Sequence, residues 1–201
     1  DVLIADGHHR YAVARAHRDE VRERTGRRDT PAEHTLAFVG ELAPEQLAIE
    51  PIHRLVTGIP GQALVAALER DFAVVPGAGP LGSELVAAMV DLGRLVLLLP
   101  DGSASWLAPR AGAFDRVRTL DGAWLEHALA GSGAGLDYQH GVAEAAAAVA
   151  AGRAQAAILI RPTSLTEIER TAREGLLMPP KSTFFTPKLR TGLVLRALDS
   201  V

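Results

Sequence analysis

The spacing of apolar and polar positions predicts alternating helices and strands. Apolar residues recur at helical spacing in five segments, namely 11–24, 61–70, 83–92, 142–151 and 164–174. Short apolar runs bounded by turn-forming residues predict strands at 2–5, 35–40, 47–54, 72–75, 94–99, 105–109 and 156–160. Helices are followed by strands through the middle of the chain. This order predicts an α+β fold, in which a mixed sheet carries helices on one face.

Turn and capping residues place some of these boundaries. Asp101-Gly102 separates two strand-type runs and predicts a hairpin. Pro51 interrupts an extended segment, because proline cannot donate to a strand ladder. Ser164 and Glu167 have the spacing of a capping box, so they predict the start of a helix that Gly175 ends.

The order of elements suggests three parts. We expect residues 1–40 to contribute part of a ligand site and residues 41–135 to form a middle α+β region. Residues 136–201 are expected to form an α+β segment that returns to the first part, since isolated strands need partners. The chain opens on a strand-type run at residues 2–5, which predicts that it is the C-terminal part of a longer protein.

Composition limits the classes of function. The 201 residues are 48% hydrophobic, and 21 basic against 24 acidic residues give a net charge of −3. This balance argues against a general nucleic-acid or membrane-surface binder. The chain has no cysteine, which excludes disulfides, thiolate metal sites and a thiol nucleophile. No apolar run approaches the ~20 residues that a membrane span needs, so we expect a soluble cytoplasmic protein.

The densest functional chemistry lies at Asp6, Gly7, His8, His9 and Arg10, between the first predicted strand and the first predicted helix. A strand-to-helix turn directs backbone N–H groups and the positive end of the helix dipole at one point. Arginine adds a forked donor suited to phosphate or carboxylate. The alternative is a structural turn in which Asp6 caps the helix and Arg10 forms an ion pair. A metal site is less favoured, because adjacent histidine side chains diverge.

Two further histidine positions have functional and structural interpretations. His53 and Arg54 end an extended segment, where they could contribute to an anion pocket or form a solvated strand end. His140 precedes an alanine-rich helix, whose dipole favours the neutral imidazole. The alternative for His140 is a plain turn or capping residue. Neither pattern decides between its two interpretations.

The segment 178–189 combines prolines, lysines, hydroxyls and two adjacent aromatic residues. Lys181, Ser182 and Lys188 form a plausible phosphate-contacting surface, because the prolines reduce the entropy lost on ordering. The alternative is a proline-rich loop that packs Phe184 and Phe185 into the core and leaves the lysines solvated.

Three motifs occur together in one known family: residues 5–11 (ADGHHRY), 51–54 (PIHR) and 178–189 (MPPKSTFFTPKL). By these motifs the chain resembles a family of conserved uncharacterised bacterial and archaeal proteins, classed as a domain of unknown function. That family is related to the ParB/sulfiredoxin-like superfamily. The resemblance implies a nucleotide site of that type within residues 1–40.

Relatives in the superfamily place the equivalent turn against nucleotide phosphates: CTP in ParB proteins, ATP in sulfiredoxin and ADP in archaeal free-serine kinase. The resemblance therefore implies that Gly7, His8, His9 and Arg10 line a phosphate site. Sulfinic-acid repair is excluded, because the chain lacks the cysteine that sulfiredoxin requires. Clamping on DNA is not expected either, because no separate basic module is evident.

These observations predict a nucleotide-dependent phosphotransferase or kinase that acts on a small hydroxyl metabolite. His8 or His9 would contact phosphate oxygens or assist proton transfer, and Lys181 and Lys188 would close the site. Mg²⁺ would accompany ADP, ATP or CTP. The acidic base of the serine kinase lies upstream of its turn, so no base is assigned in this chain. The alternative is a non-catalytic module that senses a nucleotide or metabolite.

Overall fold

A computed structural model describes residues 3–43, 45, 47–176, 178–179, 181–186, 188, 192 and 194. The chain forms two compact units. Unit 1 contains Asp1–Ala48 and Phe185–Val201, and unit 2 contains Ile49–Phe184. The division into three parts that we derived from the sequence stays a prediction.

Unit 1 contains one long helix, α1 (His8–Thr25), and a short 3₁₀ helix at Pro31–Glu33. Helix α1 ends at Gly26, whose φ of 67° is left-handed and favours glycine. The guanidinium of Arg22 ties α1 to the 3₁₀ helix, since its Nε lies 2.8 Å from a carboxylate oxygen of Glu33. Helix α1 begins three residues before the predicted start at residue 11.

Two of the predicted strands do not form within the described residues. Residues 3–5 and 35–40 have no regular secondary structure, and residue 2 lies outside the described residues. In the second segment Leu36, Phe38 and Val39 are 58%, 71% and 76% exposed. An apolar run becomes a strand only where another strand pairs with it and one face is buried. These runs lack such a partner in the part of the chain that is described.

Unit 2 contains a six-stranded sheet in the order β3-β5-β4-β7-β2-β6. Its strands are β2 (Ile52–Thr57), β3 (Phe72–Pro76), β4 (Leu95–Leu98), β5 (Ala104–Pro109), β6 (Gly135–His140) and β7 (Ala156–Leu159). Every pairing in this sheet is antiparallel, so the α+β class is confirmed while the sheet is not of the mixed type. A separate two-stranded sheet pairs β1 (Ala48–Glu50) with β8 (Phe184–Thr186), where the chain passes from one unit to the other.

Helices cover both faces of the six-stranded sheet, which corrects our expectation of one covered face. The helices are α2 (Gly61–Leu68), α3 (Ser83–Leu92), α4 (Asp121–Leu129), α5 (Val142–Ala150) and α6 (Leu165–Arg173). One core packs α2 and α4 against alternate residues of the central strands, and the other core packs α3 and α5 against the remaining residues. Both β4 and β7 are buried at every position. Their unbroken apolar runs are typical of strands covered on both faces.

The other predicted elements of unit 2 are largely confirmed. The hairpin of β4 and β5, the break at Pro51 and the helix after Ser164 lie where the sequence placed them. Strand β6 and helix α4 were missed. Strand β6 lies at the edge of the sheet and has a polar sequence, and α4 has a glycine in its first turn, which weakens the helical signal.

Candidate functional sites

The turn before α1 presents an open helix N-terminus. Gly7 occupies the N-cap position with a left-handed φ of 84°, and no side chain caps the helix. The first hydrogen bond of the helix runs from the Tyr11 N–H to the Gly7 carbonyl at 2.9 Å. The N–H groups of His8, His9 and Arg10 therefore have no partner within the helix. The first turn also contains no acidic residue, so the positive end of the helix dipole is not neutralised there.

Arg10 folds back over this turn. A Cβ atom on Gly7 would lie 3.1 Å from an η nitrogen of Arg10, so the glycine leaves room for the guanidinium. The same guanidinium lies 3.6 Å from the Asp6 carboxylate, with the two side chains 70% and 57% exposed. The predicted ion pair thus forms, whereas the predicted cap by Asp6 does not. Within the described part of the chain, three N–H groups without a helical partner and one exposed guanidinium lie at this turn.

Lys188 completes the group of charges in unit 1. Its Nζ donates a hydrogen bond to Oδ2 of Asp6 at 3.0 Å. This bond, aided by the nearby Arg10 charge, lowers the pKa of the Asp6 carboxyl below its ordinary value. The structure therefore brings Lys188 to the turn, as the motifs suggested, but its ammonium contacts a carboxylate. Asp6 is consequently held as an anion.

The other predicted residues lie in unit 2, where His53 is buried. Only 1% of His53 is exposed, and its Nδ1 accepts a hydrogen bond from the Ile160 N–H at 3.2 Å. Burial lowers the pKa of His53 to about 4, with smaller contributions from the charges of Arg54 and His140. The imidazole is therefore neutral at pH 7. The interpretation of this pair as a solvated strand end is wrong.

Arg54 is also buried, with 4% of the residue exposed. Its guanidinium lies over the Tyr138 ring, 4.7 Å from the centroid, and donates to the Ile52 carbonyl. A longer hydrogen bond of 3.4 Å reaches the Lys181 carbonyl. Burial lowers the pKa of this guanidinium, although the more distant carboxylates of unit 2 oppose the effect. Among the described residues no carboxylate lies within 4.0 Å of it to form an ion pair.

Ser182 lies near Arg54, but the Lys181 side chain is exposed. The Ser182 hydroxyl donates to the Pro179 carbonyl at 2.8 Å, and the Thr163 hydroxyl donates to the Ser182 carbonyl at 2.8 Å. Lys181 has a left-handed φ of 57°, uncommon for a residue with a side chain. The structure thus assembles Arg54 with the main chain of Lys181 and with Ser182. Pro180, Pro187 and Leu189 lie outside the described residues.

His140 ends β6 and packs on Phe184, with ring centroids 4.0 Å apart. Its Nδ1 atom is buried and has no hydrogen-bond partner within the described part of the chain. The next residue, Gly141, is the N-cap of α5. His140 therefore lies just before the alanine-rich helix α5, as predicted. One alternative from the sequence predicted burial of Phe184, but not its contact with His140.

A cavity of about 240 Å³ lies entirely within unit 2 and is lined by Arg54 and by residues at the beginnings of α4 and α6. Sequence reasoning missed its second guanidinium, Arg161, which is paired with the buried carboxylate of Asp121 at 2.5 Å. It also missed Gly122, where a Cβ would lie 3.0 Å from an η nitrogen of Arg54. One signal was available, because Asp121-Gly122 repeats the Asp-Gly pair found at Asp6-Gly7.

The described residues contain no group of three or more His, Asp or Glu side chains that could hold a metal ion. None of the helices formed by these residues is long and apolar enough to cross a bilayer.

Solved structures with a similar fold come from two kinds of protein. A conserved hypothetical protein from Pyrococcus furiosus aligns with a TM-score of 0.53 at 13% identity, covering 92% of this chain and 69% of its own. A free serine kinase variant in complex with AMP, with one glutamate replaced by alanine, gives 0.53 at 13% identity and covers 92% and 67%. The ADP complex of that variant gives 0.50 at 14% identity, with the same coverage. At these identities the likeness concerns the fold.

Comparisons at the level of sequence give one result. No curated protein matches the chain significantly. The model of a family described as "Protein of unknown function (DUF1015)" matches residues 1–123, more than half of the chain. The chain therefore belongs to the DUF1015 family.

Proposed function

We propose that the chain binds a nucleotide through the turn at Asp6–Arg10. We further propose that it acts as a phosphotransferase or kinase on a small hydroxyl metabolite. The observation that carries the proposal is the uncapped N-terminus of α1 beside the Arg10 guanidinium. Helix N-termini bind phosphate because free N–H groups and the helix dipole act together. A guanidinium adds a bidentate donor for phosphate oxygens.

The solved structures of similar fold support this assignment. The complexes of free serine kinase that share this fold contain AMP or ADP. ADP is therefore the first nucleotide to test, with ATP and CTP as alternatives. Membership of the ParB/sulfiredoxin-like superfamily, which the motifs suggested, would place the phosphates at the same turn.

The exposed imidazoles would have distinct roles in this proposal. His8 and His9 provide the first two N–H groups of α1, and their side chains would contact phosphate oxygens or move a proton. Phosphoryl transfer depends mainly on positioning and charge neutralisation, so exposed cationic donors suit it. Mg²⁺ keeps several waters and binds substrate phosphates with one or two carboxylates. Asp6 is the carboxylate that the turn itself supplies.

One observation favours the alternative of a binding module without catalysis. The carboxylate of this turn is engaged by Lys188 at 3.0 Å, and its pKa is lowered by that hydrogen bond. A carboxylate with a lowered pKa is a weak general base. A sensor of ADP or a related nucleotide would need the phosphate contacts alone, and it would bind without turnover.

The test is calorimetric titration of the chain with ADP, ATP and CTP, each with and without Mg²⁺. Arg10→Ala is expected to weaken binding by about 1.5–3 kcal/mol, roughly 10- to 150-fold in Kd, the value of a hydrogen bond to a charged group. Arg24→Ala is the matched control, because Arg24 is exposed at the other end of the same helix. Equal Kd values for wild type and Arg10→Ala would contradict the phosphate assignment. Phosphate transfer from a bound nucleotide to small hydroxyl compounds then separates an enzyme from a sensor.

A further inference from the structure

The wall of the cavity beside Arg54 contains charges of both signs. Two carboxylates and two guanidiniums line it. Asp121 is paired with Arg161 at 2.5 Å, and Glu167 is paired with Arg118 at 3.3 Å and Arg170 at 2.7 Å. Both carboxylates are therefore already neutralised by other cations. Arg54 is left as a buried guanidinium without a carboxylate within 4.0 Å among the described residues, although burying an unpaired charge is costly.

Two helices begin at the same cavity. Leu120, Asp121 and Gly122 begin α4, and Ser164 is the N-cap of α6, and all four line the cavity. The side chain of Leu120 cannot cap, so the first N–H groups of α4 have no partner within the helix. Each helix has one acidic residue in its first turn, Asp121 in α4 and Glu167 in α6, and the Ser164 hydroxyl caps α6. The N–H groups at the start of α4 are therefore the main donors that these helices offer to the cavity.

Gly122 brings these features together. Glycine in the first turn costs helix stability relative to alanine. At this position a Cβ would lie 3.0 Å from an η nitrogen of Arg54, so alanine would require the guanidinium to shift by a few tenths of an ångström. The glycine thus permits a buried cation to lie against the positive end of a helix. Asp121 in the first turn of α4 offsets part of this positive charge, but its carboxylate is already paired with Arg161. An anion in the cavity would therefore be favoured beside Arg54.

We propose that this cavity binds the carboxylate or phosphate group of a small metabolite, held by Arg54 and the N-terminus of α4. The volume of about 240 Å³ is below the roughly 300–1,000 Å³ of clefts for drug-sized ligands, which favours a small anion over a nucleotide. The hydroxyls of Thr163 and Ser182 each donate to a carbonyl, so their remaining lone pairs can accept from a donor on the ligand. This site is independent of the nucleotide turn in unit 1.

A purely structural role for Arg54 would be to tie the segment at Lys181 to β2. The hydrogen bond that would do so is 3.4 Å long, near the limit for such a contact. A neutral donor could make that contact without the cost of a buried charge. The contact with the Tyr138 ring stabilises part of the positive charge. Even so, no carboxylate within 4.0 Å neutralises it among the described residues.

The test uses the chain carrying Arg10→Ala, so that phosphate held at the turn of unit 1 does not contribute. Sodium phosphate and sodium malonate are titrated by calorimetry, with sodium chloride of equal ionic strength as the blank. Gly122→Ala is then added, because alanine favours the helix and displaces the guanidinium without removing it. Gly61→Ala is the matched control, since Gly61 also begins a helix and a Cβ there would contact nothing within 4 Å.

We expect saturable binding of at least one anion in the Arg10→Ala chain, and about a tenfold or greater rise in Kd when Gly122→Ala is added. Gly61→Ala should leave the Kd unchanged. Preference for phosphate over malonate identifies a phosphate ligand, and the reverse identifies a carboxylate. Absence of binding by both anions would overturn the proposal, as would equal Kd values for Gly122→Ala and Gly61→Ala. Either result would leave nucleotide binding at unit 1 untouched.

Discussion

The carboxylate of Asp6 and the ammonium of Lys188 meet at 3.0 Å across 182 positions of sequence. Both side chains are about half exposed, at 57% and 49%. Exposed ion pairs contribute little to stability, because water and salt screen them. The importance of this pair is therefore local, since it sets the charge and position of the carboxylate beside the turn at Gly7–Arg10.

Replacing Lys188 should raise the pKa of Asp6. In Lys188→Gln a neutral amide replaces the ammonium whose hydrogen bond and charge lower this pKa, whereas the smaller contribution of the Arg10 charge remains. A ¹³C-NMR titration of the Asp6 carboxyl measures the change. Lys181→Gln is the control, because the chain has only these two lysines and Lys181 is not among the groups that shift Asp6. An unchanged Asp6 titration in Lys188→Gln would show that the pair does not persist in solution.

His53 should make the chain less stable in acid. Its pKa is lowered to about 4 in the folded protein, against about 6.5 in an unfolded chain. The unfolded state then binds the extra proton, so stability is lost as pH falls from about 6.5 toward 4. Between pH 7.5 and pH 4.5 the loss of unfolding free energy from this one group is about 2–3 kcal/mol.

Urea unfolding across this pH range tests the prediction. His53→Asn is the informative variant, because its side-chain oxygen can accept from the Ile160 N–H as Nδ1 does, but it cannot be protonated. We expect a flatter stability profile in the variant, whatever its stability at pH 7.5. Parallel profiles for the two proteins would contradict a buried, neutral His53.

Asp121→Asn should destabilise the fold, because it leaves the Arg161 guanidinium without its counter-charge. Loss of one partner from a buried pair costs about 3–5 kcal/mol. Since the Arg161 side chain is still 23% exposed, we expect a lower cost of about 2–3 kcal/mol. Denaturant unfolding measures it, with Asp91→Asn at an exposed helix position as control. Equal losses in the two variants would exclude a special role for the pair.

Ser164→Ala should weaken the start of α6. The Ser164 hydroxyl accepts a hydrogen bond from the Glu167 N–H at 3.2 Å, and its loss typically costs about 1 kcal/mol. Ser164→Asp retains an acceptor and favours the helix dipole, so its unfolding free energy should stay near that of wild type. If both substitutions cost the same, the cap would not be what stabilises this helix.

Most elements of unit 2 were predictable, because their residues have regular apolar spacing. The buried strands β4 and β7, for example, are continuous apolar runs. The covering of both sheet faces was not foreseen, although those same unbroken runs are its signature. Strand β6 was missed because it is polar and lies at an edge, where pairing through the backbone matters more than side-chain pattern.

The sequence revealed candidate site residues only where they are adjacent along the chain. The turn at Asp6–Arg10 and the His53-Arg54 pair were evident from local motifs. The pairing of Arg161 with Asp121 joins positions forty residues apart, and no local pattern predicts such a contact. The burial of Arg54 could not be predicted either, because arginine is a surface residue in most proteins.

Unit 1 combines the first 48 residues with residues 185–201, so its synthesis is interrupted by that of unit 2. At about 5–20 residues per second, the ribosome needs on the order of ten seconds to make the intervening segment. Unit 2 can complete its sheet during that interval, before Lys188 has been synthesised. The contact between Asp6 and Lys188 therefore forms only after the whole of unit 2 has been translated.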